Sequence, residues 1–156
     1  MAEWSRVLLG ELFDVQLGKM LGAGSQNGEQ FPYLANRNVQ WGRVVIDELG
    51  TMNFAPAERE RYRLERGDLL VCEGGEVGRA ALWSGELPEC YFQNAIHRLR
   101  AKEGVHSRYM RHYFEYAVRA GSVRALTGQT SIAHLPRANL VRWSVPLPPM
   151  EEQRRI

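Results

Sequence analysis

Short apolar segments bounded by glycine, proline and other turn residues run through most of this 156-residue chain, and they constrain its fold more than any other feature. Short segments rich in β-branched and aromatic side chains predict strands. The predicted strands are Arg6–Leu9, Arg43–Asp47, Asp68–Cys72, Arg79–Trp83, Tyr91–Leu99 and Arg142–Leu147. Because no repeat, low-complexity stretch or linker divides the chain, the pattern predicts one β-rich globular domain.

One longer segment has helical rather than strand spacing. Ser107 can cap the start of a helix and Gly121 can end it, which predicts a helix over Ser107–Ala120. Its apolar side chains recur at helical spacing and predict a buried stripe. The stripe consists of Tyr109, Met110, Tyr113, Phe114, Ala117 and Val118. With shorter helices expected at Pro56–Tyr62 and Pro136–Leu140, the predicted fold class is α+β.

Several protein classes are excluded by composition. The apolar runs are far shorter than the roughly 20 residues that cross a bilayer, so no membrane contact is expected. Charged residues interrupt the N-terminal segment, which therefore carries no readable secretory signal, and we expect a cytoplasmic protein. Cys72 and Cys90 lie in or beside apolar stretches without metal-ligand spacing, which predicts buried thiols.

The charges are distributed unevenly along the chain. Residues 1–90 carry 9 basic and 14 acidic side chains, whereas residues 91–156 carry 11 basic and 4 acidic ones. The formal net charge of +2 therefore divides into −5 and +7. Such asymmetry suggests a polyanionic partner for the basic half, although a solvated basic helix would give the same count.

Catalytic motifs are missing from the sequence. It contains no GxxxxGK[ST] phosphate loop, no HExxH zinc motif and no GxSxG elbow. We therefore predict a protein that is not an enzyme and needs no cofactor or metal. Polar recognition chemistry remains, because glutamine and asparagine can pair with adenine and arginine with guanine. Such side chains stand at Gln93 and Asn94 and in the segment Leu126–Ser131.

Five groups of residues follow one another in an order that is specific in combination. They are Trp4 with Leu9–Phe13 and Gly18–Lys19; Tyr33–Leu34 with Asn38–Val39 and Gly42; Tyr62 with Leu64 and Gly67–Val71; Gly75 with Val77–Arg79; and Leu147–Ile156. Together they resemble the target recognition domain of Type I restriction-modification specificity subunits, over essentially the whole chain.

The resemblance implies a noncatalytic reader of double-stranded DNA. Such subunits usually carry two recognition domains, each reading half of a split target, and long connecting helices that hold the methyltransferase subunits. The expected function is to direct methyltransferase and restriction subunits to one half-target. By this resemblance residues 1–148 form the recognition domain, and residues 149–156 begin a truncated connecting helix.

The resemblance also separates scaffold residues from candidate contacts. Because relatives read different sequences, Gly67, Asp68, Gly75 and Gly78 are expected to hold the scaffold. The candidate base readers are Gln93, Asn94, Gln129, Thr130, Ser131, Arg37, Asn38, Gln40 and Arg43, with Trp41 as a packing anchor. The candidate phosphate contacts are Arg98, Arg100, Lys102, Arg108, Arg111 and Arg124.

Two other functions are compatible with the residues alone. The charge asymmetry would also suit a protein-interaction or scaffold module that binds an acidic partner without reading DNA. A recognition domain could alternatively belong to a fused methyltransferase-nuclease.

Overall fold

The computed structural model describes residues 3–22, 27–127 and 133–156, and these residues form eleven strands, five α-helices and two 3-10 helices. The strands are β1 (Ser5–Leu8), β2 (Phe13–Leu17), β3 (Glu29–Leu34), β4 (Val39–Gln40), β5 (Arg43–Val44), β6 (Gly50–Phe54), β7 (Leu69–Cys72), β8 (Ala80–Leu82), β9 (Tyr91–Phe92), β10 (Ile96–Ala101) and β11 (Ser144–Leu147). The α-helices are α1 (Leu9–Leu12), α2 (Pro56–Tyr62), α3 (Ser107–Arg119), α4 (Arg137–Val141) and α5 (Met150–Arg155). The 3-10 helices are Asn36–Asn38 and Ser122–Leu126.

A four-stranded antiparallel sheet forms the centre of the fold, in the order β2, β10, β7, β8. His97 of β10 lies opposite Leu17 of β2 on one side and Val71 of β7 on the other. A second sheet has the order β6, β3, β9, with β3 antiparallel to β6 and parallel to β9. β1 pairs with β11, so strands from near the two chain ends are neighbours, and β4 pairs with β5.

The central sheet is buried on both faces. Successive residues of a strand point to opposite faces, and all four residues of β7 are fully buried. Leu69 and Val71 pack in one apolar cluster with Phe114 of α3, whereas Leu70 and Cys72 pack in a second cluster. The side chains that this sheet offers to a ligand are therefore found at its ends, in the connecting loops.

The longest predicted helix is confirmed as α3. Its cap differs from the prediction, because Nδ1 of His106 accepts the hydrogen bond from the backbone N–H of Arg108 at 3.2 Å. Four of the six predicted stripe residues are buried: Tyr109, Met110, Phe114 and Ala117. The other two, Tyr113 and Val118, are half-buried. The predicted stripe is therefore confirmed at its centre.

The α+β fold class is confirmed, and a strand overlaps every predicted strand segment. The prediction of one strand over Tyr91–Leu99 is wrong, because a turn separates β9 from β10 and the N–H of Ile96 donates to the carbonyl of Gln93 at 3.0 Å. The pattern also missed β2, β3 and β6. These three strands have an exposed or mixed face, which weakens the apolar signal.

Both cysteines are buried free thiols that form no disulfide, as predicted. Burial raises the pKa of the Cys72 thiol to about 11 and that of Cys90 to about 12. Because the thiolate is the reactive form, neither side chain has the character of a nucleophile. No helix in the described ranges is long and apolar enough to cross a membrane.

Candidate nucleic-acid interface

The connections of the central sheet gather at two opposite ends. Because neighbouring strands run in opposite directions, the ends of β2 and β7 meet the starts of β10 and β8 at one edge. We call this edge the loop end. It comprises segments 18–22, 35–38, 73–79, 93–95 and 133–135.

Segment 18–20 is held against segment 93–95 by backbone hydrogen bonds. The N–H of Gly18 donates to the carbonyl of Ile96 at 2.9 Å, and the N–H of Asn94 donates to the carbonyl of Lys19 at 2.9 Å. A Cβ at Gly18 would lie 2.3 Å from the carbonyl carbon of Gln93, so only glycine permits this approach. The two segments therefore form one unit.

Lys19 ties this unit to the second sheet. Its side chain is 5% exposed, and its Nζ donates to the carbonyl of Asn53 at 2.6 Å and to the carboxylate of Glu58 at 2.9 Å. Nζ also lies 5.0 Å from the ring centre of Phe54. Partial burial by itself raises the pKa of Glu58, but the N–H of Ala55 and the Lys19 ammonium outweigh it and lower that pKa.

The glycine-rich loop 73–79 is a structural turn, as its sequence predicts. Gly75 has a φ of +66°, and a Cβ at Gly78 would lie 2.7 Å from Val118 of α3. Asn36 donates from its side-chain amide to the carbonyl of Gly74 at 3.1 Å. This bond joins the 3-10 helix Asn36–Asn38 to the loop.

The hairpin of β4 and β5 is fixed beside the same loop. Nε1 of Trp41 donates to Glu76 at 3.0 Å, and Arg79 donates to the other carboxylate oxygen at 3.1 Å. These two bonds lower the pKa of Glu76. The Trp41 side chain also packs against the main apolar cluster, which confirms its predicted role as an anchor.

Residues 133–135 join the loop end through Glu73. The backbone N–H of Glu73 donates to Ala95 at 3.0 Å, and its carbonyl accepts from the N–H of Leu135 at 2.8 Å. The Glu73 carboxylate also lies 3.3 Å from Nδ1 of His134. In this way the five chain segments of the loop end, which are distant in sequence, meet at one surface.

At the opposite end of the sheet, Asp68 and Arg100 form a bidentate ion pair. Both carboxylate oxygens of Asp68 accept from Arg100 at 2.9 Å, and Oδ2 also accepts from the N–H of Glu65 at 2.7 Å. The hydrogen bonds that Arg100 donates to the Asp68 carboxylate raise the pKa of its guanidinium. Asp68 is 2% exposed, so its carboxylate has the scaffold role that was expected.

The chain's relationship to known proteins agrees with this architecture. Residues 1–156 match the family described as the Type I restriction modification DNA specificity domain. The chain belongs to this family. No curated protein sequence matches this specificity domain.

Solved structures share its fold. A chain from a study of complex assembly and conformational transition of the type I R-M system is 22% identical, with a TM-score of 0.74 over 99% of this domain. The HsdS subunit from Thermoanaerobacter tengcongensis is 22% identical, with a TM-score of 0.70 over 98% of it. The S subunit of a Type-I restriction-modification system from M. genitalium is 16% identical, with a TM-score of 0.57 over 92%. The specificity domain covers 36%, 35% and 34% of these chains, respectively, so it spans about a third of their length.

Two predicted base readers of the specificity domain lie at the loop end. Gln93 and Asn94 are half-buried in the turn before β10. The other predicted readers from the basic half, Gln129, Thr130 and Ser131, lie outside the described residues. The segment that follows them, residues 133–135, lies at the loop end, because the N–H of Leu135 donates to the carbonyl of Glu73.

The second predicted reader set is divided between the loop end, which includes Arg37 and Asn38, and the adjacent hairpin of β4 and β5, which carries Gln40 and Arg43. Arg37 and Arg43 are exposed, and the half-buried Gln40 donates its amide to the carbonyl of Arg37 at 2.7 Å. Asn38 does not fit its expected role, since it is 2% exposed. Its side chain accepts from the N–H of Ala35 at 2.8 Å and donates to two backbone carbonyls, so it stabilises the loop.

Arg98 and Arg100 do not fit the expected role of phosphate contacts. Arg98 is 3% exposed and donates to the carbonyl of Arg61 at 2.9 Å and to Asp14 at 3.1 Å. Burial lowers the pKa of the Arg98 guanidinium. Arg100 is engaged by Asp68. Arg98 is therefore buried against the sheet, and Arg100, whose side chain is 30% exposed, is held at the end of the sheet.

The remaining predicted phosphate contacts are divided between the two ends. Lys102 and Arg108 are exposed but follow β10 and begin α3, at the end opposite the loops. Arg111 is only 15% exposed and lies near Glu115 and His112. Arg124 is exposed beside Val123, whose side chain approaches Gly78 of the loop end.

The sequence patterns missed one feature of this surface. Met20 and Leu21 at the loop end are exposed apolar side chains. Their position between Gly18 and Gly22 was an available signal, because apolar residues in a glycine-flanked loop rarely serve a core. Among the described residues, no group of three His, Cys, Asp or Glu side chains could hold a metal ion.

Proposed function

We propose that this chain is a target recognition domain that reads one half of a bipartite double-stranded DNA target. The match to the specificity-domain family over all 156 residues carries this proposal. Reading requires polar side chains that a stable scaffold presents to base edges. The loop end has that character, because amides and arginines lie on loops fixed by buried bonds.

The domain would act as part of a Type I specificity subunit. Its role is to direct methyltransferase and restriction subunits to the target, and those partner chains would perform the chemistry. Recognition itself requires no catalytic group, cofactor or metal in this domain. Because bacterial DNA lies in the cytoplasm, this function also places the protein there.

We assign the DNA-facing surface to the loop end. Gln93 and Asn94 are the base-reading candidates there; Gln129, Thr130 and Ser131 remain candidates from the sequence and lie outside the described residues. Arg37 lies in the 3-10 helix of the loop end, and Gln40 and Arg43 extend the same surface from the neighbouring hairpin. Asn38 is left out of the surface, because its side chain is occupied within the fold.

Phosphate contacts are assigned by exposure and position. Arg124 is exposed beside the loop end and makes no ion pair with any described residue, so its charge is available to a phosphate. Lys102 is also exposed but lies at the far end of β10. The six residues of β10 separate the two ends by about 20 Å, at roughly 3.3 Å per residue. DNA seated on the loop end would therefore not reach Lys102.

Residues 1–148 form the recognition domain in this proposal, and residues 149–156 begin the connecting helix. The start of that helix is held by Gln153 of α5. Its buried side chain accepts from the N–H of His106 at 2.7 Å and donates to the carbonyls of Gly104 and Pro148 at 3.0 and 2.9 Å. A helix extended from α5 would thus leave the domain in a defined direction.

A selection from randomised duplexes tests the function. The chain is joined into a complete specificity subunit, assembled with its methyltransferase subunits, and used to enrich bound DNA. We expect one short motif that changes when this domain is replaced by that of a relative. If no motif is enriched, or if the motif is unaffected by the replacement, the proposal is wrong.

A matched pair of arginine and lysine variants tests the assigned surface. Arg124→Ala should weaken binding to all duplexes alike and reduce the log-log salt slope by about 0.9, the value for one phosphate. Lys102→Ala removes one exposed cation from the other end and should leave both quantities unchanged. The reverse pattern would move the interface to the opposite end of the sheet.

A further inference from the structure

Two large apolar side chains are exposed next to each other at the loop end. Met20 is 71% exposed and Leu21 is 54% exposed. Exposed apolar residues are common singly, but this pair lies on the surface to which the proposed function assigns DNA. A ligand bound at this surface would therefore contact apolar side chains as well as polar ones.

The backbone beneath the pair is fixed. The N–H of Lys19 donates to the carbonyl of Phe92 at 3.1 Å, and Gly18 is closed against Gln93 without room for a Cβ. The Lys19 side chain is anchored in the opposite direction, toward Glu58. Met20 thus follows directly on an ordered residue, so a ligand would order the Met20 side chain but not the backbone that leads to it.

The neighbours of the pair are amides. The carbonyl of Lys19 accepts from the N–H of Asn94, which brings segment 18–20 alongside Gln93 and Asn94. The surface thus combines apolar side chains with amide donors and acceptors in adjacent chain segments.

An A·T base pair offers the matching chemistry in the major groove. Adenine presents N6 and N7, which an asparagine or glutamine amide can bind, and thymine presents its 5-methyl group beside O4. A G·C pair has no methyl group in that position, so apolar contact there favours A·T.

We propose that Met20 and Leu21 contact a thymine methyl group, next to an adenine read by Gln93 or Asn94. This inference rests on the proposed function and names one component of the half-target. The expected half-target therefore contains at least one A·T pair whose thymine methyl contributes to binding.

Replacing thymine by deoxyuridine tests the contact, because it removes only the methyl group. In the duplex selected above, each thymine of the half-target is replaced in turn and binding by the assembled complex is measured. Loss of one buried methyl contact should weaken binding about fourfold at one position. At that position, Met20→Ala or Leu21→Ala should bind the thymine duplex more weakly, but should lose little further affinity on the deoxyuridine duplex. Leu8→Ala, an exposed leucine on β1, is the control and should retain the full sensitivity to deoxyuridine.

Three results would overturn the inference while leaving the proposed function intact. The selected half-target could lack an A·T pair, deoxyuridine could be tolerated at every position, or the alanine variants could lose the same factor on both duplexes. The last result would assign the pair to a protein contact or to folding. Failure of the selection to enrich any motif would overturn both proposals.

Discussion

Lys19 offers a sharp test of how the candidate interface is held together. It is one of only two lysines in the chain, and its side chain is almost fully buried between Asn53 and Glu58. Lys19→Met removes the ammonium while keeping most of the apolar stem. The substitution therefore isolates the contribution of the charge and its hydrogen bonds.

The expected loss of stability follows from those two bonds. A hydrogen bond that involves a charged group contributes roughly 1.5 to 3 kcal/mol to stability. Glu58 is 31% exposed in its side chain, so water can replace part of what its carboxylate loses. We therefore expect a total loss of about 3 kcal/mol, which corresponds to a lower Tm by about 6 to 12 °C for a domain of this size.

Urea denaturation at neutral pH measures the effect, and Lys102→Met is the matched control. Lys102 is exposed, and its Nζ makes a single long hydrogen bond, 3.3 Å to the carbonyl of Gly10, so its loss should change stability by less than about 0.5 kcal/mol. The Lys19 contribution should also diminish in acid. The lowered pKa of Glu58 adds stability above the ordinary carboxyl range and loses it as the pH falls through the folded-state value, so the difference between the two lysine variants should narrow in acid by the part that the Glu58 ion pair contributes, while the part from the bond to the Asn53 carbonyl remains. Equal stability of the two variants at neutral pH would refute the reasoning.

Three further predictions concern the scaffold. Gly18→Ala should cost more than about 2 kcal/mol in urea unfolding, because its Cβ would collide with the backbone of Gln93. Gly22→Ala should change stability little, because a Cβ added there would meet no described atom within 4 Å. Gln153→Ala should lose about 2 to 4 kcal/mol and increase hydrogen exchange in α5, because three buried hydrogen bonds disappear. Burial lowers the pKa of His97, so the unfolded chain binds a proton that the folded chain does not. The free energy of unfolding should therefore fall as the pH drops below about 6.5, by up to about 1.4 kcal/mol per pH unit. His97→Gln should reduce that slope in urea titrations at pH 7.5, 6.5 and 5.5.

Local patterns were sufficient for elements whose burial is simple. α3 has one apolar face, and β7 is apolar throughout because both of its faces are covered, so each could be predicted from periodicity or from an apolar run. β3 could not, because it includes Pro32 and exposes its first residues. β2 alternates only over Phe13, Asp14 and Val15, and its last two residues are half-buried, so its alternation is too short to predict a strand.

Site residues were harder to predict because burial depends on tertiary pairing. Arg98 and Arg100 alternate along β10 and resemble a basic surface in the sequence. In the fold, Arg98 meets Asp14 and Arg100 meets Asp68, both from distant segments. No local pattern distinguishes such arginines from solvent-exposed ones.

The same pairing changes the meaning of the charge asymmetry between the two halves of the chain. β10 comes from the basic half, but both of its neighbours, β2 and β7, come from the acidic half, so part of the +7 is neutralised inside the sheet by ion pairs between the halves. The charge available to a polyanion is therefore the subset of cations that remain exposed and unpaired among the described residues. Arg124 belongs to that subset beside the loop end, and Lys102 belongs to it at the other end, so a comparison of these two residues, rather than the net charge, tests the proposed DNA-facing surface.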